Sequence, residues 1–203
     1  MLLDDRVTDT ERSAQANLVR RGYVLESITL GWNVVGVVIL VAAALAARSI
    51  ALAGFGLDSL IEIGASTVVI WELSGADEER QRKALGLIGV AFLVLAAYLA
   101  VQSLIVLVAR WAPQPSPVGI AWTGVTALVM FGLAAGKART GRALGNPVLL
   151  TEGRVTFIDG ILAVAVLVGL VLNSVLGWWW ADPLAAYVLV YYAVREGRAA
   201  LAH

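Results

Sequence analysis

The chain has 203 residues, of which 60% are apolar, and its 15 basic and 15 acidic residues leave a formal net charge of zero. With a mean hydropathy of +0.82, it has too little polar surface to cover a soluble globule of this size, which predicts an all-α integral membrane protein. The balanced charge gives no indication of a nucleic-acid partner.

Six apolar segments recur along the chain, separated by short polar connectors. A helix of about 20 apolar residues crosses about 30 Å of hydrocarbon, and the segments therefore predict transmembrane helices. Their ranges are 24–47, 49–73, 84–108, 118–136, 147–173 and 183–194, the last expected to extend further. Residues 1–22 are predicted to form a cytoplasmic N-terminal arm, and residues 23–203 a six-helix transmembrane domain.

Basic residues are concentrated on one side of the predicted membrane. They precede the first segment and follow the second, fourth and sixth, whereas the opposite side holds only Arg48 and Arg110. The positive-inside rule then places both termini in the cytoplasm. We expect a multi-pass protein of the cell membrane, in contact with lipid.

Two of the segments follow residues that commonly start helices. Asn146-Pro147 precedes the fifth segment and Asp182-Pro183 the sixth, so each offers a side chain that can cap the helix and a proline for its first turn. The tryptophans at 178–180 are typical of an interfacial anchor. Asp182 is therefore predicted to have a structural role.

The second segment contains two carboxylates, Asp58 and Glu62, one helical turn apart and thus on the same face. Asp159 lies near the middle of the fifth segment. At about 1.5 Å of rise per residue, all three groups reach a similar depth. Each acidic group at the bilayer centre costs about 2.5 to 3.5 kcal/mol on insertion scales, so these groups must face protein, water or a cation.

Three carboxylates in one low-dielectric site need neutralisation. No lysine or arginine is predicted at that depth, which leaves protons and a metal ion. A site that exchanges one for the other is the core of a proton-coupled metal transporter. The alternative is a structural network in which protonated acids hold the helices together by hydrogen bonds.

Further oxygen-bearing side chains lie near this predicted site. Asn33 stands at mid-membrane in the first segment, where it could ligate a metal or form an interhelical hydrogen bond. Glu26, Glu72 and Glu152 lie at the inner ends of their segments, where they could form an acidic cytoplasmic vestibule. Alternatively, each could reach the interface or pair with a base such as Arg154.

The chain contains no cysteine and one histidine, His203, so any metal site must use oxygen ligands. It also has no arrangement of serine, cysteine or histidine for nucleophilic catalysis and no glycine-rich phosphate loop. The sequence therefore predicts neither an enzyme nor a bound cofactor.

Three motifs resemble the cation diffusion facilitator superfamily of divalent-metal exporters. The segment Asp58-Ser59-Leu60-Ile61-Glu62 resembles its second helix, where two acids and a serine hold the metal. Residues 156–160, Thr-Phe-Ile-Asp-Gly, resemble the fifth-helix motif, and residues 180–185, Trp-Ala-Asp-Pro-Leu-Ala, the turn that opens the sixth helix. The resemblance implies a six-helix transmembrane domain in which Asp58, Glu62 and Asp159 bind the metal.

Two departures from that family affect the prediction. Members commonly place a histidine or aspartate four residues before the fifth-helix aspartate, where this chain has Val155. The fourth ligand is then Thr156, Asn33, Glu26 or water. The cytoplasmic C-terminal domain that typical members use for dimerisation is also missing, as in a short branch of the family, so a homodimer would form through the membrane spans.

These observations predict a divalent transition-metal transporter of the Zn²⁺, Mn²⁺ or Fe²⁺ class. We expect a proton-coupled efflux antiporter, with the metal ion as transported substrate rather than cofactor and protons as the exchanged ions. One alternative is a non-transporting membrane scaffold or regulatory partner that keeps the transporter fold. Another is a proton-coupled exporter of small organic cations.

Overall fold

The computed structural model describes residues 2–47, 49–75, 78–110, 114 and 116–202, and these residues form six helices and no strand. The prediction of six helices is confirmed. Their bounds are α1, Leu2–Ala47; α2, Ile50–Leu73; α3, Glu78–Ala109; α4, Pro117–Leu144; α5, Pro147–Leu176; and α6, Ala181–Leu201.

Two helix boundaries differ from the predicted segments in ways that bear on the site. The predicted N-terminal arm is helical and continues without a break into the first span as α1. Helix α4 does not end at residue 136 but runs to Leu144, where Gly145 closes it in the left-handed conformation with φ of 63°. Lys137 therefore lies inside α4 rather than in a cytoplasmic connector.

Polar side chains cap the starts of three helices. Ser49, Ser116 and Asn146 accept hydrogen bonds from the backbone N–H three residues further on, at 3.1, 3.1 and 2.9 Å. The expectation that Asp182 caps α6 is wrong, because the cap position is Trp180 and the helix begins at Ala181. Pro183 does lie in the first turn, as expected.

The helices form a ring of four with a pair packed against it. Helix α1 packs on α2 and α4, and α5 packs on α4 and α2, which gives the ring order α1, α2, α5, α4. Helices α3 and α6 pack on each other, and this pair contacts the ring through α2 and α5. The ring and the pair therefore meet along the faces of α2 and α5.

The outer surface of this bundle is apolar. Several large aliphatic side chains are between 68% and 76% exposed, among them Val38, Leu45, Val108, Leu128 and Val175. By length and composition, the described parts of helices α1 to α5 can each cross a membrane, whereas α6 is a shorter helix. Such a surface suits lipid and not water, which identifies a multi-pass membrane protein.

Gly153 permits close contact between α4 and α5. A Cβ atom at this position would lie 3.2 Å from the backbone nitrogen of Ala138 and 3.2 Å from Cβ of Lys137. Gly153→Val is therefore expected to lower the free energy of unfolding by about 1–3 kcal/mol through overpacking. Thermal unfolding in detergent measures the change. Gly132→Val is the control, because nothing lies within 4 Å of its added Cβ, and equal midpoints for the two variants would contradict the prediction.

Candidate cation-binding site

A small cavity lies where the ring of helices meets the α3–α6 pair. Its volume is about 20 Å³, room for one water-sized particle. Most of its wall is apolar and comes from α2, α3, α5 and α6, but three carboxyl groups line it: Asp58, Glu62 and Asp159. The structure thus brings together the three acids that the sequence predicts to lie at a similar depth in the membrane.

These carboxyl groups are removed from bulk solvent. Asp58 and Glu62 are each 1% exposed and Asp159 is 5% exposed. The side chains of Asp58 and Asp159 lie close enough to share a hydrogen bond when one of them is protonated.

Four carboxylate oxygens on this cavity have no hydrogen-bond partner among the described residues: Oδ2 of Asp58, Oδ2 of Asp159 and both Oε atoms of Glu62. A buried acceptor without a donor is costly, and bound cations or protons are the groups that can satisfy several such acceptors together. The cavity is therefore chemically suited to a small cation.

The carboxyl groups do not form a ready-made metal cage. In the part of the chain that the structure describes, no group of three or more acidic or histidine side chains is arranged to hold a metal ion. Binding of a metal ion would require these carboxyl groups to be deprotonated and to turn toward the cavity.

A second buried charge cluster surrounds Lys137 of α4. Its Nζ lies 2.6 Å from Oε1 of Glu152 and 3.0 Å from Oε2 of Glu26, and it donates a hydrogen bond of 3.0 Å to Oγ1 of Thr156. Lys137, Glu26, Glu152 and Thr156 are all 0% exposed. The cluster joins α1, α4 and α5 inside the bundle.

This cluster corrects two expectations. The sequence places Lys137 in a cytoplasmic connector after the fourth segment, whereas the structure buries it between Glu26 and Glu152, outside the lining of the cavity. The prediction of an acidic cytoplasmic vestibule is also wrong, because Glu26, Glu72 and Glu152 are all 0% exposed and do not face the cytoplasm. The base that pairs with Glu152 is Lys137, while Arg154 is exposed.

A periodicity in α4 could have identified Lys137. Thr123, Met130 and Lys137 are spaced seven residues apart, and each of them is 0% exposed. A helix presents such positions on one face, and the apolar residues at the first turns of α4 place that face inside the bundle. Lys137 lies on the same buried face of α4. Because it follows the apolar run of the fourth segment, however, it resembles a basic residue of a cytoplasmic connector.

The three other predicted ligands do not line the cavity. Glu26 and Thr156 contact Lys137, and Asn33 is 2% exposed and donates from Nδ2 to the carbonyl oxygen of Thr29, at 3.0 Å, within its own helix. The structure thus separates the six predicted residues into the three acids of the cavity, two partners of Lys137, and Asn33.

Glu72, in the last turn of α2, contacts the residue that caps the start of α5. The Nδ2 group of Asn146 lies 3.2 and 3.1 Å from the two carboxylate oxygens of Glu72, while Oδ1 of the same side chain caps α5. One asparagine therefore links the C-terminal turn of α2 to the N-terminus of α5.

Asn146→Asp would break this link while keeping the cap. The aspartate retains an oxygen for the N–H of Leu149 but places a second oxygen against the Glu72 carboxylate. We expect the free energy of unfolding to fall by about 1–3 kcal/mol, measured by thermal unfolding. Adding Glu72→Gln should restore most of the loss, since a glutamine amide can donate to the aspartate. Failure of the double variant to recover would show that the contact is not the cause.

The fold and the buried acids together define a class: a membrane-embedded helical bundle with an internal cavity lined by three carboxyl groups. A comparison with protein families gives a match to the cation efflux transmembrane domain over residues 86–202. The chain belongs to this family, whose members are cation transporters. The match covers α3 to α6 and so includes Asp159, whereas Asp58 and Glu62 on α2 lie before it. A search of curated proteins found no match.

Proposed function

We propose that this protein is a proton-coupled exporter of a divalent transition metal and that Asp58, Glu62 and Asp159 bind the ion in transit. The observation that carries the proposal is the cavity itself, where three buried acids contribute four oxygens that lack a partner within the described residues. Membership of the cation efflux family supplies the transport function. Zn²⁺, Mn²⁺ and Fe²⁺ all accept oxygen ligands, so the proposal covers this class of ions.

The exchange chemistry depends on the close approach of Asp58 and Asp159, which can share a proton. In the protonated state the two acids hold each other, and loss of the proton frees their oxygens for a cation beside Glu62. Reprotonation from the outer side returns the acids to their mutual hydrogen bond and releases the ion. Alternating access then exposes the same three residues to each side of the membrane in turn.

The cavity volume favours an inorganic ion over an organic one. About 20 Å³ accommodates one water-sized particle, whereas an organic cation needs a pocket of several hundred Å³. An exporter of small organic cations would have to rebuild this cavity completely.

Metal uptake into everted membrane vesicles tests the proposal. With an acidic lumen, which corresponds to the outer side, uptake of Zn²⁺, Mn²⁺ or Fe²⁺ should exceed uptake without a pH gradient and should fall when an ionophore collapses the gradient. Binding should also strengthen as pH rises, by about tenfold per pH unit for each proton displaced. If neither uptake nor affinity depends on pH, transport is not coupled to protons.

A second candidate function is a non-transporting scaffold or regulatory partner. It is favoured by the absence, among the described residues, of a preformed metal cage. Calorimetric titration of the purified protein with the three metals discriminates between the two functions. A scaffold should show no heat that depends on Asp58 or Asp159, while a transporter should bind with an affinity that those residues determine.

The proposed arrangement is a homodimer in the cell membrane, with both termini in the cytoplasm. The distribution of basic residues supports this orientation. Chemical crosslinking in native vesicles tests the dimer, and labelling of added terminal tags in intact cells tests the orientation.

A further inference from the structure

Lys137 occupies a cradle of oxygen atoms that could hold a free cation. Its Nζ contacts one oxygen each from Glu26, Glu152 and Thr156, at 3.0, 2.6 and 3.0 Å. The second oxygen of each glutamate is buried and has no hydrogen-bond partner within the described residues. The hydroxyl of Ser66 lies beside Glu26 and is likewise buried.

This cradle lies between the cavity and the end of the bundle that Glu72 and Asn146 mark. Along α5, Asn146 comes first, then Glu152 and Thr156 at the cradle, then Asp159 at the cavity. Glu152 and Asp159 are about 10 Å apart along the helix axis. Glu62 of the cavity lies within electrostatic range of both glutamates of the cradle.

The charges of the cradle match a divalent ion. When both glutamates are ionised, they carry two negative charges, of which the single ammonium neutralises one. Buried ion pairs are costly to build, and an apolar contact of the same volume is often as stable. A lysine held here by two acids therefore suggests a function beyond stability.

We propose that Glu26, Glu152 and Thr156 form a second cation-binding position, which the Lys137 ammonium occupies at rest. The ammonium withdraws from this position when a metal ion passes between the cavity and the Glu72 end of the bundle. The claim of withdrawal rests on the proposed function, since it concerns the same ion path. The claim of occupancy does not, because it concerns the cradle alone.

Occupancy is tested in a chain whose cavity is disabled by Asp58→Asn and Asp159→Asn. Equilibrium dialysis with Mn²⁺ should show no bound ion in this background and about one ion per chain once Lys137→Met is added. Addition of Glu152→Gln should abolish the gain. Lys83→Met is the matched control, because Lys83 forms an exposed ion pair with Glu79 on the surface of α3, and its loss should give no binding.

A Lys137→Met chain that binds no more Mn²⁺ than its background would overturn the proposal. If that chain aggregates on purification, Mn²⁺ should restore monodisperse protein by replacing the ammonium, and failure to do so counts against the proposal equally. Because the cavity is disabled throughout this series, the result is independent of transport. A parent chain that carries no metal in vesicles would overturn the proposed function and leave the occupancy result standing.

Withdrawal is tested with a single thiol beside the cradle. The chain contains no cysteine, so Ser66→Cys creates a unique reactive group with little change in volume. A cationic methanethiosulfonate reagent should modify it slowly at rest and severalfold faster during zinc uptake, when Lys137 leaves the cradle. Ser103→Cys on α3, buried and absent from the cavity lining, is the control. If uptake leaves the modification rate of the Ser66→Cys chain unchanged, the ammonium stays in place and the claim of withdrawal fails.

Discussion

Asp159→Asn is expected to abolish metal transport while the bundle stays folded. The amide keeps the volume of the side chain and can still hydrogen-bond to Asp58, but it removes one of the three ionisable carboxyl groups that line the cavity. Loss of an outer-shell partner alone typically costs about 10–100-fold in metal affinity, so loss of a direct ligand should cost at least the upper end of that range. The initial rate of Zn²⁺ uptake into everted vesicles measures the effect.

The control for this variant is Glu79→Gln, which also removes a carboxylate but from an exposed position of α3 paired with Lys83. Its uptake should match that of the parent. If Asp159→Asn protein carries Zn²⁺ as fast as the control, the cavity is not the transport site, and the assignment of Asp58 and Glu62 fails with it.

The second large effect is expected from Lys137→Met. The substitution leaves Glu26 and Glu152 buried without the cation that lies 3.0 and 2.6 Å from them. Removal of one partner from a buried ion pair typically costs about 3–5 kcal/mol, because the remaining charge is uncompensated. The midpoint of thermal unfolding in metal-free detergent solution should therefore fall well below that of the parent.

A charge-neutral variant separates this cause from lost packing. The chain with Lys137→Met, Glu26→Gln and Glu152→Gln has no unpaired charge, and it should recover most of the stability. Lys83→Met should change the free energy of unfolding by less than about 1 kcal/mol, because its ion pair is exposed. A Lys137→Met protein as stable as the Lys83→Met protein would mean that the buried acids are neutral without the lysine.

The six helices and the similar depth of the three acids could be predicted because both depend on local rules. Helix length follows from membrane thickness, and Asp58 and Glu62 share a face because they are four residues apart. The depth of Asp159 follows from its position in α5. None of these inferences needs the packing of one helix against another.

The charge cluster could not be predicted in the same way, because it depends on where α4 ends and which helices it touches. The apolar run stops near residue 136, but the helix continues to a left-handed glycine at Gly145. That additional length turns Lys137 inward toward α5, where Gly153 leaves room for the two helices to approach. A basic residue that would otherwise mark the membrane boundary thus lies inside the protein.

The contact between Asn146 and Glu72 determines how α2 and α5 can move. These helices carry every acid of the cavity, and the asparagine fastens them together at one end. With that end fixed, relative displacement of the two helices grows with distance from the joint. Asp58 lies about 21 Å along α2 from Glu72 and Glu62 about 15 Å, so splaying would displace Asp58 about 1.4 times as far as Glu62. The gap between the two helices would therefore widen most beside Asp58, at the side of the cavity farther from the asparagine.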